Sequence, residues 1–410
     1  MKKNIIFCVC CAVFWVICWI LIKIFLFNES NGLKNINWED FQINTWESIS
    51  TWESISTWEN ISSWEGVGTW ENLWELDWDI SILTSIDDEV MDNSMWCGTF
   101  QLVWNDMINE VVKNDVVFSP QLKIVENLNK QTFTNKELSP SSYYSKFWLL
   151  TLDLKDEIEK WIEKKFNETS DILNQLDWSN VPQSKNFYKW NSSKKYLFYA
   201  MLKKIFKFEN TFDEWDNWMF ANGYENIKYF WIKWSSDSKL YKQVYVYYYN
   251  SDEDFAVALK TKEWEDIILA RWIRWNSFID VYNEILKNEW EYEWKHYFTE
   301  DDYLKVPQIE VKTLKEFNKL ENKEFYCDDW NSCNIEKALQ SIELKLDKQW
   351  WEIKSEALIV MGEQSVWFDF YEVENRYFYF DKPYVMFLKE TDKDLPYFAA
   401  QISDITLFQK

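Results

Sequence analysis

Glycine is scarce in this chain. It occurs 6 times in 410 residues, where an average globular composition supplies about 7%, or roughly 29. Histidine occurs once, as His296, which excludes metal sites built on imidazole ligands, and no cysteine cluster stands in for them. Basic residues are outnumbered 44 to 68, for a formal net charge of −24. Phosphate backbones would be repelled, so nucleic acid is excluded as a partner. There is no P-loop, dinucleotide fingerprint or nucleophile elbow, and no cofactor is implied. With 68 acidic residues, a pair of carboxylates carries no information about catalysis. Cys97 and His296 form the one conceivable nucleophile pair, but nothing in the sequence brings them together. The chain does not read as an enzyme.

Tryptophan is abundant instead, at 29 residues. Many of these stand where glycine belongs. Trp264 lies in Lys262-Glu263-Trp264-Glu265-Asp266, between two strand-like runs where a hairpin turn needs positive φ. Trp330 sits in a turn-like Asp-Trp-Asn, and Trp350-Trp351 interrupts a polar junction. The expectation is a gene in which UGA is read as glycine but is written here as tryptophan. The alternative is a Trp-rich surface that binds through its aromatic rings.

Residues 5–27 are apolar throughout except for Lys23, and as a helix would span about 34 Å. Lys2 and Lys3 precede the run and acidic residues follow it. The positive-inside rule then puts the N-terminus in the cytoplasm and the rest outside. No small-x-small cleavage site follows, so an uncleaved single-pass anchor at 1–28 is preferred over a signal peptide. Residues 29–94 carry a six-residue Thr-Trp-Glu repeat, with 15 acidic residues and the single basic Lys34 before Met95. Dense like charge without core periodicity predicts a disordered stalk. Four of the seven cysteines fall in the apolar run. Cys327 and Cys333 are spaced for a small disulfide in an oxidising compartment, and free thiols suit the spacing equally well.

From Met95 to Lys410 the texture is globular. Helical spacing covers 100–112 and 152–176, while 195–212 is apolar and aromatic. Alternation at 242–249 and 255–269, and through the last 70 residues, predicts strands. Helices early and strands late predict an α+β domain.

Several segments in order resemble the serpin family of protease inhibitors. Asn114-Asp-Val-Val-Phe-Ser-Pro120 resembles its N-V-V-F-S-P element, and Trp161 with Thr169 and Asp171-Ile-Leu173 its N-x-W-V…T…I-x-D-L-L helix. Tyr199-Ala200-Met201 resembles its N-A-I strand, with tyrosine where the family has asparagine. Phe378-Tyr-Phe-Asp-Lys-Pro-Tyr384 resembles its F-x-x-D-R-P-F strand, and Leu395 to Asp404 its closing strand. The resemblance implies early helices packed on a large, mostly antiparallel sheet, followed by a β-rich C-terminal part. It also implies a mechanism in which an exposed loop baits a serine or cysteine protease and, once cut, inserts as a new central strand. The bait would lie within Gly362, Glu363, Gln364, Ser365, Val366, Trp367, Phe368, Asp369 and Phe370. The hinge before it has two registers, one through Trp350, Trp351 and Glu352, the other through Ser355, Glu356 and Ala357. Where the family has small alanines, the chain has Ile353-Lys354 in one register and Leu358-Ile359-Val360 in the other. The alternative is therefore a tethered, non-inhibitory binding or structural module with the same fold.

Overall fold

The computed structural model describes residues 80–409, apart from 167–172, 175, 190–193, 206, 222, 234, 272–275, 294–295, 328–331 and 347–374. The apolar run at 5–27, the repeats, and the hinge and bait residues at 350–370 lie outside those described. Among the described residues no helix is long and apolar enough to cross a membrane.

Three sheets carry the fold. The largest has seven strands: β1 (Ser81–Leu83), β2 (Ser94–Cys97), β16 (Phe398–Ile402), β15 (Tyr384–Glu390), β9 (Glu265–Arg271), β8 (Asp254–Lys260) and β7 (Val244–Ser251), in that spatial order. Every residue of β9, β15 and β16 is buried. That is why runs such as Ile267-Ile-Leu-Ala270 and Val385-Met-Phe-Leu388 are continuously apolar rather than alternating. A second sheet orders β14 (Arg376–Tyr379), β10 (Asp302–Pro307), β6 (Tyr224–Ile232) and β5 (Asp213–Phe220). The third orders β11 (Ile309–Glu316), β13 (Ser332–Leu346), β4 (Lys194–Ile205) and β3 (Tyr143–Leu149), with β12 (Glu324–Tyr326) on β13.

The helical spacing at 100–112 and 152–176 is met, but helices recur at 238–241 and 278–291 among the strands, so they are not confined to the early part of the chain. α1 (Gly98–Met107) continues into a π-helical turn at Ile108–Val112 and stops at Lys113, which is left-handed at φ 59°. Gly98 is required at its start, because a Cβ there would come within 2.3 Å of the Phe133 ring. α2 (Lys123–Asn129) is short, and α3 (Leu152–Phe166) packs on the third sheet. α4 (Ser238–Tyr241) is a single turn. α5 (Phe278–Glu291) is capped by Ser277, whose hydroxyl accepts from the Asp280 amide. Its buried Phe278, Val281, Tyr282 and Ile285 follow helical spacing.

One boundary shifts. The stalk expected to reach residue 94 gives way to ordered structure by Ile80: β1 pairs with β2 in parallel, and Ile82, Leu83 and Ile86 join the core. The short acidic loop that follows is tied inward. Asp88 accepts from the Thr84 and Ser85 amides and from Asn127, so its carboxylate is hydrogen-bonded within the protein.

Candidate functional site

The third sheet has one seam unlike the others. β13 pairs antiparallel with β11, and β4 antiparallel with β3, yet β4 and β13 run parallel to each other. Their register extends from Cys333↔Lys194 to Lys345↔Ile205, with one irregularity between Ile335 and Lys337. β4 alternates from Tyr196 to Leu202 and β13 from Ala338 onward, the phase of β13 changing at the irregularity. Phe198, Ala200, Leu202, Ala338, Ile342 and Leu344 face the main core, whereas Leu197, Tyr199, Met201 and Leu339 face α3 through its Leu154, Ile158 and Ile162. The apolar cover of α3 reaches β13 at Leu339, and further along the same face Ser341, Glu343 and Lys345 are only half-buried.

Among the described residues of the seam, Gln340 is the fully buried polar side chain on the core face. It is 1% exposed and sits opposite Ala200. Its Nε2 donates to the Cys97 carbonyl at 3.1 Å and to Thr99 Oγ1 at 3.0 Å, tying β13 to the start of α1. Its Oε1 has no partner. The Cys97 thiol lies 3.2 Å from Thr99 Oγ1, and burial pushes it up to about 11.

The hinge and bait residues expected from the resemblance fall between β13 and β14, outside the described residues. β13 ends at Leu346, and described residues resume at Asn375, one before β14. The root of β14 is fastened by charge. Arg376 donates from Nε and a terminal nitrogen to the two oxygens of Asp302, at 2.8 and 2.7 Å. It also donates to the Tyr292 hydroxyl and the Tyr297 carbonyl. Asp302 is 1% exposed, and the Thr299 amide and hydroxyl complete its shell. Burial works against the Arg376 charge, but Asp302 outweighs it and raises the guanidinium pKa above its ordinary value. Past β14, Arg271 donates to the Tyr379 carbonyl and pairs with Glu253, and Asp381 lies 3.7 Å away. Lys382 bonds the same Glu253. The Asp381-Lys382-Pro383 turn is thus bolted to the seven-stranded sheet.

Other sequence candidates separate. Cys97 ends β2, while His296 lies beside β7, its Nδ1 2.8 Å from the Val246 carbonyl. β2 and β7 stand five places apart in the sheet order, a gap of roughly 24 Å at ordinary strand spacing. No nucleophile pair forms. Cys327 and Cys333 are joined as a disulfide, closing the β12–β13 hairpin at the far end of the seam. Sequence reasoning missed Gln340, Arg376 and Asp302. For Gln340 the signal was present, as a polar residue in phase with Ala338, Ile342 and Leu344.

No family profile and no curated protein matches this chain. Among solved structures it is similar to serpin-12 of Manduca sexta, at 14% identity over 66% of this chain and 78% of that one, TM-score 0.39. It is also similar to Serpin48 of Tenebrio molitor, at 11% identity over 74% and 79%, TM-score 0.35. A third is thyroxine-binding globulin in complex with thyroxine, at 11% identity over 62% and 65%, TM-score 0.38. At such scores the likenesses weigh nothing by themselves, and a functional reading has to come from the chain's own strands and motifs.

Proposed function

We propose that this chain is a serpin-like protease inhibitor whose bait lies within 362–370. The observation that carries the reading is the parallel β4–β13 seam, whose strand β13 runs directly into residues 347–374. A chain leaving β13 and turning back on itself runs antiparallel to β13. Because β4 is parallel to β13, the same returning strand is antiparallel to β4 as well. One parallel ladder would become two antiparallel ones, which pair slightly better per residue. Roughly ten additional backbone hydrogen bonds at about 1 kcal/mol each make the insertion strongly favourable once cleavage releases the loop. Serine or cysteine proteases are the partners.

The bulky residues in both hinge registers favour the second reading, a non-inhibitory module of the same fold. Incubation with a panel of serine and cysteine proteases, followed by denaturing electrophoresis, separates the two. An SDS-stable complex with one of them supports inhibition; clean cleavage by all of them supports the module.

The proposed location is a cell membrane, spanned once by residues 5–27, with the N-terminus cytoplasmic and the acidic body outside. Its support is the apolar run behind Lys2 and Lys3. Recovery of full-length protein in detergent-free lysate overturns the anchor. Recovery of a shortened soluble form points to a cleaved signal. Backbone amides protected from exchange across the Thr-Trp-Glu repeats overturn the disordered stalk.

A further inference from the structure

We infer that position 264 is glycine in the protein its own host makes, encoded by UGA, whereas position 104 is a true tryptophan encoded by UGG. Composition raises the question of tryptophan read for glycine but cannot say which positions it affects. Two of the hairpin turns of this fold supply that answer.

In the first hairpin, Phe220 of β5 pairs with Tyr224 of β6, and the last residue of the intervening turn is Gly223 at φ 78°. The Gly223 amide donates to the Phe220 carbonyl at 2.9 Å. In the second, β8 and β9 pair through Lys260↔Asp266, and the Thr261 amide donates to the Glu265 carbonyl at 2.9 Å. The turn is then Lys262-Glu263-Trp264, and its last residue has φ 61°. Both are three-residue connections ending in a left-handed residue, the arrangement in which glycine is the standard occupant. One hairpin has glycine at that position and the other has the bulkiest side chain available.

The other positive-φ residues do not share this conflict. Asn93, Asn226 and Asn322 are of the type that tolerates the left-handed region, and Lys113 ends a helix. Gln131 follows α2 at once. Nor does the indole of Trp264 gain anything from its position. It is 78% exposed, and the backbone bond its carbonyl accepts from the Thr391 amide at 2.9 Å needs no side chain.

Trp104 is the opposite case. It is fully buried in α1 with helical geometry, its ring lies 5.9 Å from that of Phe198, and its Nε1 donates to Asn129 Oδ1 at 3.1 Å. A buried indole with its N–H paired is the ordinary state of a real tryptophan.

The coding sequence and the native peptide test this together. UGA at 264 and UGG at 104 are expected. The tryptic peptide from Glu263 to Arg271, taken from the native host, should be lighter than the written sequence by the mass difference between a tryptophan and a glycine residue. UGG at 264, or tryptophan in that peptide, overturns the inference, as does UGA at 104. A stability measurement on the chain as written reads the same distinction without the host. Trp264→Gly should raise the melting midpoint by about 2 °C, while Trp104→Gly should lower it by about 10 °C or more. A lower midpoint for Trp264→Gly would mean that the indole is native to the turn.

Discussion

Cys97 shows how burial overrides a local signal. It occupies the N-cap of α1, a place where the helix dipole ordinarily lowers a thiol pKa. Yet it is 0% exposed, and loss of hydration raises it from 9.0 to about 11 despite the hydrogen bond with Thr99. The thiol should resist alkylation at pH 8 in the folded protein and react once urea unfolds it, which a mass shift on the Cys97 peptide would report. The pH dependence has a definite sign. An unfolded chain releases this proton near 9 and the folded chain near 11, so the folded state binds more protons between them. Stability from this group is complete below pH 9 and falls as pH rises towards 11. Cys97→Ala should flatten that part of a stability–pH curve; an unchanged slope would assign it to the buried tyrosines instead.

At the scale of elements, β14 is held at its root by the Arg376–Asp302 pair. Asp302→Asn keeps the shape but removes the carboxylate that two Arg376 nitrogens share, a loss of about 3 kcal/mol. The loss should be local, seen as faster amide exchange at Tyr377 and Tyr379, with β15 still protected. Equal exchange in wild type and variant would show that backbone pairing with β10 holds the strand without the ion pair. The disulfide at the other end acts on the unfolded chain. Cys327 and Cys333 are separated by 6 in sequence, so reduction should cost about 2 kcal/mol, measured by urea unfolding with and without reductant.

Elements differed in how readable they were. α1 and α3 follow from helical spacing, whereas the alternation expected at 255–269 is not what β8 and β9 show, because both are buried along nearly their whole length and read as apolar runs bounded by a turn. β15 and the Asp381-Lys382-Pro383 turn come from the motif. α5 was not read, although Ser277 and Asp280 mark its start and its apolar positions are regular. Pairing is the part a sequence hides. Gln340 and Ala200 lie far apart in the chain, and alternation tells which face each residue shows but not which strand lies beside it or in which direction. The Arg376–Asp302 pair is invisible for the same reason, one basic and one acidic residue among many.

For the whole molecule, the proposed function is a statement about which of two states is lower in free energy before and after a single cut. Under the inhibitory reading the uncut chain keeps residues 347–374 out of the seam, which β4 and β13 close by pairing directly. A cut between 350 and 371 breaks the chain between β13 and β14. Under the inhibitory reading the freed segment becomes a central strand, and the melting midpoint of the cut protein should rise by about 10 °C or more. The intact protein should meanwhile be cut there before anywhere else in the body. Ser355→Lys, which adds charge and bulk to the hinge, should abolish the rise and leave the midpoint of the uncut protein unchanged. Under the non-inhibitory reading the cut leaves the midpoint where it was or lowers it. Limited proteolysis with mass mapping, followed by melting curves on cut and uncut samples, reads all of these. Preferred cleavage elsewhere in the body, with 350–371 protected, would remove the serpin-like assignment itself, since a bait must be the segment a protease reaches first.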